Sequence, residues 1–136
     1  MIPSYVWAEK KFNEFNNAIF KGRLLKPVIN ITDFCFCDGE FCYGSYEYAL
    51  KTNWLGKITG VQNAGTITLN KSYDLTERRW EGVLLHEMVH MYVYTVLLKN
   101  PKDPHGPEFM NIANKIQAQG WNVLDETYIN PKPLIS

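Results

Sequence analysis

The chain has 136 residues, 46% of them hydrophobic and 21% charged, which fits one folded domain and excludes a disordered or low-complexity protein. Lys plus Arg and Asp plus Glu both number 14, so the formal charge is zero and no global field draws the chain to nucleic acid or to an anionic membrane. The longest apolar stretches fall far short of a bilayer span.

In chain order, Tyr5 to Phe20 reads as a helix. Tyr5, Ala8, Phe12, Phe15 and Ile19 keep a helical apolar spacing, and Gly22 and Pro27 follow as stop signals. Val28 to Thr32 is short and rich in β-branched residues, a strand. Phe34 to Ala49, aromatic and punctuated by Gly39 and Gly44, predicts a strand, a turn and a second strand. Lys51 to Ala64 is polar and contains glycine, so it reads as a loop. Gly65 to Asn70 alternates polar and apolar, the pattern of a half-buried strand.

The longest helix is expected from about Thr76 to Leu98, where Trp80, Val83, Leu84, Met88, Met91, Tyr92 and Thr95 recur at helical steps. Pro101 and Pro104 break it. Gly106-Pro107 restarts a helix, with glycine at the N-cap, proline at the first helical position and Glu108 in the first turn. Phe109, Ile112, Ala113 and Ile116 give this helix its apolar face, and Gly120 ends it. The tail from Tyr128 to Ser136 carries two prolines and is expected to be irregular.

The start, Met1-Ile2-Pro3-Ser4, has neither a basic n-region nor an apolar h-region. Together with an odd cysteine number (Cys35, Cys37 and Cys42), this predicts reduced thiols in an intracellular, cytosol-like compartment. The three cysteines match no common zinc spacing, so small buried side chains are the favoured reading over a second metal site.

All three histidines fall in one twenty-residue window, as His86-Glu87-Met88-Val89-His90 and then His105. Residues four apart share one face of a helix, so His86 and His90 can address one ion. Glu87, turned by about 100°, misses the ion but reaches a water bound to it. Zinc brings the pKa of such a water near 7, and a carboxylate can then take its proton as it attacks a peptide carbonyl. His105, returned by the proline-broken loop, is the candidate third ligand.

His86-Glu87-Met88-Val89-His90-Met91-Tyr92 followed by His105-Gly106-Pro107-Glu108-Phe109 resembles the SprT-like zinc metalloprotease family, whose pattern is HExxH, a loop, then HGxxF. Phe12 to Asn16 is similar to the family's N-terminal helix, Gly39 to Tyr43 to its Gly/Cys/Tyr segment, and Thr66 to Asn70 to the strand before its active-site helix. The likeness runs from about residue 5 to residue 123, and it is to the catalytic domain, without a C-terminal zinc ribbon or basic DNA-binding segments.

The resemblance implies an α+β, minimal zincin-like domain over residues 1–136, with a small mixed sheet packed against an N-terminal helix and the long HExxH helix. It implies one zinc ion held by His86, His90 and His105, with Glu87 as catalytic base. The enzyme would be a soluble, intracellular endopeptidase acting on proteins or peptides, with a monomer favoured. By family likeness alone, its substrates would include DNA-associated or crosslinked proteins. Strand 66–70 would be the sheet edge that receives an extended substrate. The rival is a zinc-stabilised, nucleic-acid-associated or protein-binding module without protease activity. Glu87 argues against it, because a structural site needs no base and is closed by four protein ligands.

Other residues have two readings. Tyr92 could polarise the scissile carbonyl or orient a ligand, but its place on the apolar stripe favours packing. Glu108 could touch substrate or brace a histidine, whereas an acid in a first turn more often serves the helix dipole. Arg78 and Arg79 oppose that dipole at the long helix's start, and solvation is favoured over an anionic partner. Trp54 and Trp121 read as packing residues, ahead of base stacking for Trp54.

Overall fold

The computed structural model describes residues 1–124 apart from Asp38, Ala49 and Gln62; the expected irregular tail lies outside the described residues. The fold is α+β. Helix α1 (Tyr5–Ala18) is followed by strands β1 (Val28–Thr32), β2 (Phe36–Cys37), β3 (Glu40–Phe41), β4 (Gly44–Glu47), β5 (Leu50–Thr52), β6 (Ile58–Val61) and β7 (Thr66–Asn70). Helices α2 (Glu77–Thr95) and α3 (Pro107–Ala118) complete it.

The main sheet has three strands in the order β1-β7-β4, with β1 parallel and β4 antiparallel to β7. β7 is therefore the central strand, which corrects its expected role as the substrate edge. It is also buried on both faces from Ile67 to Asn70, where alternation predicts only half-burial. Two polar members are held inside the sheet: Thr68 is buried, and Asn70 donates to the Cys42 carbonyl at 3.0 Å. β1 does alternate, with Ile29 buried and Val28 exposed.

α1 and α2 lie against the sheet, and α3 packs on α2. Phe12 and Phe15 of α1, Ile29, Ile67 and Leu69 of the sheet, and Trp80, Leu84 and Met88 of α2 share one buried core. α1 starts where the Ser4 hydroxyl accepts from the Trp7 amide, and α2 where Thr76 accepts from Arg79. Arg78 and Arg79 are engaged rather than merely solvated. Arg78 donates to the Gly120 carbonyl, and Arg79 sits over the Tyr43 ring.

Between β1 and β7 lie two hairpins: β2–β3 falls where a strand, a turn and a second strand are expected, and β5–β6 departs from expectation. The stretch read as a loop contains the antiparallel pair β5–β6. Asn53 closes its turn, its side chain accepting from the amides of Leu55 and Lys57 at 3.0 Å. Trp54 stands in that turn 91% exposed, so it packs nothing. In the β2–β3 hairpin, Cys37 and Cys42 are joined as a disulfide, with Cα atoms 5.8 Å apart, against the expected reduced thiols. The ladder pairs Cys37 with Glu40, and just past β3 the Cys42 amide donates to the Cys35 carbonyl at 3.1 Å, so the hairpin folds the cysteine-bearing ends together. Cys35 is free and buried, and burial pushes its thiol up to about 11. Trp121 does pack, edge-on to Phe15 at 5.1 Å.

Candidate metal centre and active site

α2 supplies two of the three histidines. Twelve of its nineteen residues are buried, so its direction is fixed on every side except a narrow stripe. His86 and His90 lie one turn apart on the face toward α3. His105 comes back through a tight turn in which its amide donates to Asp103 Oδ1 and the Gly106 amide donates to the Asp103 carbonyl, both at 3.0 Å. Gly106 then caps α3, with Pro107 at its start.

This geometry brings the three predicted histidines to one point. Nε2 of His105 lies 3.1 Å from Nε2 of His86 and 3.2 Å from Nε2 of His90. All three ligand atoms fall within 4.8 Å of one another, and among the described residues no further His, Cys, Asp or Glu joins the group. Nitrogens about 2.0–2.1 Å from a tetrahedral zinc would stand roughly 3.3 Å apart, and both distances from His105 match that spacing.

The protonation states fit as well. His86 Nδ1 donates to the Val123 carbonyl at 3.0 Å, which leaves its Nε2 lone pair facing the other two rings. Burial lowers the His86 pKa to about 4, and it holds His90 well below the ordinary imidazole value. Both rings are therefore neutral at pH 7, the form that binds a metal. Phe109, fully buried, packs its ring 4.8, 4.5 and 5.0 Å from His86, His90 and His105.

Glu87 is buried beside this cluster, and burial raises its pKa to about 8. It faces the start of β4. A Cβ on Gly44 would lie 3.2 Å from Glu87 Oε2 and 2.9 Å from Val83 Cγ1, so glycine lets the strand approach the carboxyl this closely. Tyr46 and Tyr48, from β4 and just beyond it, stack with Tyr94 of α2 at 6.2 and 3.7 Å and tie that strand to the helix.

Tyr92 and Glu108 sit elsewhere. The half-buried Tyr92 accepts a hydrogen bond from Arg23 at 3.0 Å and leans on Phe20, toward the end of α1. Glu108 is half-buried in the first turn of α3. Sequence reasoning missed Gly44 and Val123. Gly44 read only as turn punctuation, and Val123 acts through a backbone oxygen that carries no signal in the sequence. Phe109 was visible as apolar spacing but not as the ring beneath three imidazoles.

The comparisons with known proteins point the same way. The model of the SprT-like family matches residues 8–131. Over 83 residues the chain is 31% identical to the DNA-dependent metalloprotease dvc-1 of Caenorhabditis elegans. That match covers 60% of this chain and 21% of the nematode protein, so the chain spans about a fifth of that relative's length. A family match over nearly all of the chain, meeting the histidine corner where its motif falls, makes this protein a member of the SprT-like family.

Proposed function

We propose that the chain is a zinc-dependent endopeptidase, with His86, His90 and His105 holding one zinc ion and Glu87 acting as the base. The observation that carries this reading is the convergence of three imidazole nitrogens beside a buried carboxyl group. When bound there, the ion would supply Lewis-acid polarisation of the scissile carbonyl and acidify the attacking water.

The chain's own residues do the rest. Val123 fixes the His86 ring, and Phe109 walls the cluster from below. Glu87 takes the proton of the attacking water as oxygen adds to the carbonyl carbon. It then gives that proton to the amine nitrogen as the C–N bond breaks. A pKa near 8 keeps Glu87 protonated in metal-free protein, and positive charge beside it is what returns it to the carboxylate form at neutral pH.

The substrate strand belongs on β4. Among the described residues the only ladder partner of β4 is β7, Cys37 of β2 reaches the Gly44 carbonyl, and the first residue of β4 abuts Glu87. The nematode relative is named a DNA-dependent metalloprotease, which supports a dependence on DNA, and we propose DNA-associated or crosslinked proteins as the substrate class.

The test is elemental analysis of the purified chain, followed by digestion of casein and histone with and without single-stranded DNA. Glu87→Gln is expected to keep the metal and to lose cleavage by about 100- to 10,000-fold. Equal cleavage by that variant would overturn the mechanism. A large melting shift on chelation, with no digestion under any condition, would favour a zinc-stabilised binding module instead.

A further inference from the structure

A cavity of about 260 Å³ opens where the end of α1 meets α2 and α3, away from the histidine corner. Its rim carries Lys21, Arg23 and Lys115, and no carboxylate lines it. Among the described residues none of these three cations takes part in an ion pair. Like charges gathered around one concavity repel each other unless an anion sits between them. The chain as a whole is neutral, with acids and bases equal in number, so this grouping is a local feature and not a reflection of composition.

Apart from Gln119, the remaining walls are apolar and aromatic, Phe20, Ile112 and the ring of Tyr92 among them. Arg23 is already aimed. Its Nη1 donates to the Tyr92 hydroxyl at 3.0 Å, and its guanidinium carbon lies 5.7 Å from the centre of that ring. One nitrogen is used in this bond, and the other N–H groups remain to grip an oxyanion. The chain reaches this position through two left-handed residues, Lys21 (φ 56°) and Gly22 (φ 70°), which turn the end of α1 back over the cavity.

We propose that this cavity binds one nucleotide unit, a phosphate ester carrying a planar ring. Lys21, Arg23 and Lys115 engage the phosphate, and the ring lies against the Tyr92 and Ile112 wall. The volume, near the small end of the roughly 300–1,000 Å³ usual for ligand sites, suits a single unit. A free nucleotide and one unit of a single strand present the same chemistry. The site uses neither the histidines nor Glu87, so its binding is read without metal or cleavage and stands or falls apart from the peptidase.

The experiment titrates the full chain with thymidine 5′-monophosphate, thymidine, inorganic phosphate and a short oligothymidylate, by calorimetry and fluorescence anisotropy. Thymidine and inorganic phosphate are each expected to bind about tenfold more weakly than the monophosphate. The exposed pair of changes in Lys21→Gln/Lys115→Gln should weaken the monophosphate about tenfold and flatten its salt dependence, with the melting curve unchanged. Tighter binding of the oligothymidylate would assign the site to a strand, and equal binding to free nucleotide. Absence of binding by both phosphorylated probes, or unchanged affinity in the double variant, would overturn the proposal. Thymidine binding as tightly as its monophosphate would do the same.

Discussion

The histidine corner and the segment from Phe34 to Ala64 obey different rules. In the corner, His86, Glu87, Phe109 and Met88 are buried, and each side chain is aimed by a helix whose phase is set over many turns. In the intervening segment Phe34, Phe36, Phe41, Trp54 and Leu55 all face solvent, on hairpins only two to four residues deep. The first region tolerates little because every atom has neighbours. Outside β4 and the buried Tyr43, the second is held by a few ladder bonds, a disulfide and an asparagine turn. Where chemistry demands sub-ångström placement, this chain invests its apolar residues.

If that contrast is right, substitutions should sort by region. Phe109→Ala should be the most damaging, at about 3–5 kcal/mol of stability, because it empties the space beneath three rings. Urea unfolding measures it, and a loss under 1 kcal/mol would mean the corner is not packed as described.

Next in size is a pH effect in chelator-treated protein. The depressed imidazoles of His86 and His90 contribute stability that is present above about pH 6.5 and is lost as the pH falls below it, since the unfolded rings gain protons first. The raised Glu87 acts oppositely. Its contribution is full below about pH 4.5 and is lost as the pH climbs through about 8. Two imidazoles outweigh one carboxyl below pH 6.5, so stability should peak near there. It should fall on both sides by about 1.4 kcal/mol per pH unit for one net proton. Glu87→Gln should steepen the acid limb and abolish the decline between about pH 6.5 and 8; urea midpoints at several pH values decide it.

Gly44→Ala is expected to cost about tenfold in cleavage while the metal content holds, since the new methyl presses on Val83 and Glu87 without touching the histidines. Comparing kcat with bound metal separates this from general unfolding. Trp54→Ala, in the exposed hairpin turn, should change stability by less than about 0.5 kcal/mol. A larger loss would show that the outer segment is packed after all.

The same contrast explains what could be read from residues alone. Both long helices, α1 and α2, were legible because the 3.6-residue repeat of Ala8, Phe12 and Phe15, or of Trp80, Leu84 and Met88, is a local signal. The histidine set followed from that phase plus a proline break. β1 and β7 were legible as strands, yet their order in the sheet was not. Whether β7 is central depends on β1 and β4, partners tens of residues away, and nothing in Thr66–Asn70 records them. β5 and β6 escaped because a polar, glycine-bearing stretch looks like a loop until Asn53 is seen closing a turn. Contacts through main-chain atoms, such as the Val123 carbonyl on His86, leave no trace in side-chain pattern at all.

That carbonyl has a mechanical consequence. Val123 is positioned because Gln117, near the end of α3, accepts from the amides of both Val123 and Leu124 through one side-chain oxygen, at 2.9 and 3.0 Å. The orientation of His86 is thus clamped from the segment following α3, a tether several residues removed from the chemistry. Loss of the two Gln117 contacts would therefore free the imidazole before it disturbed the core.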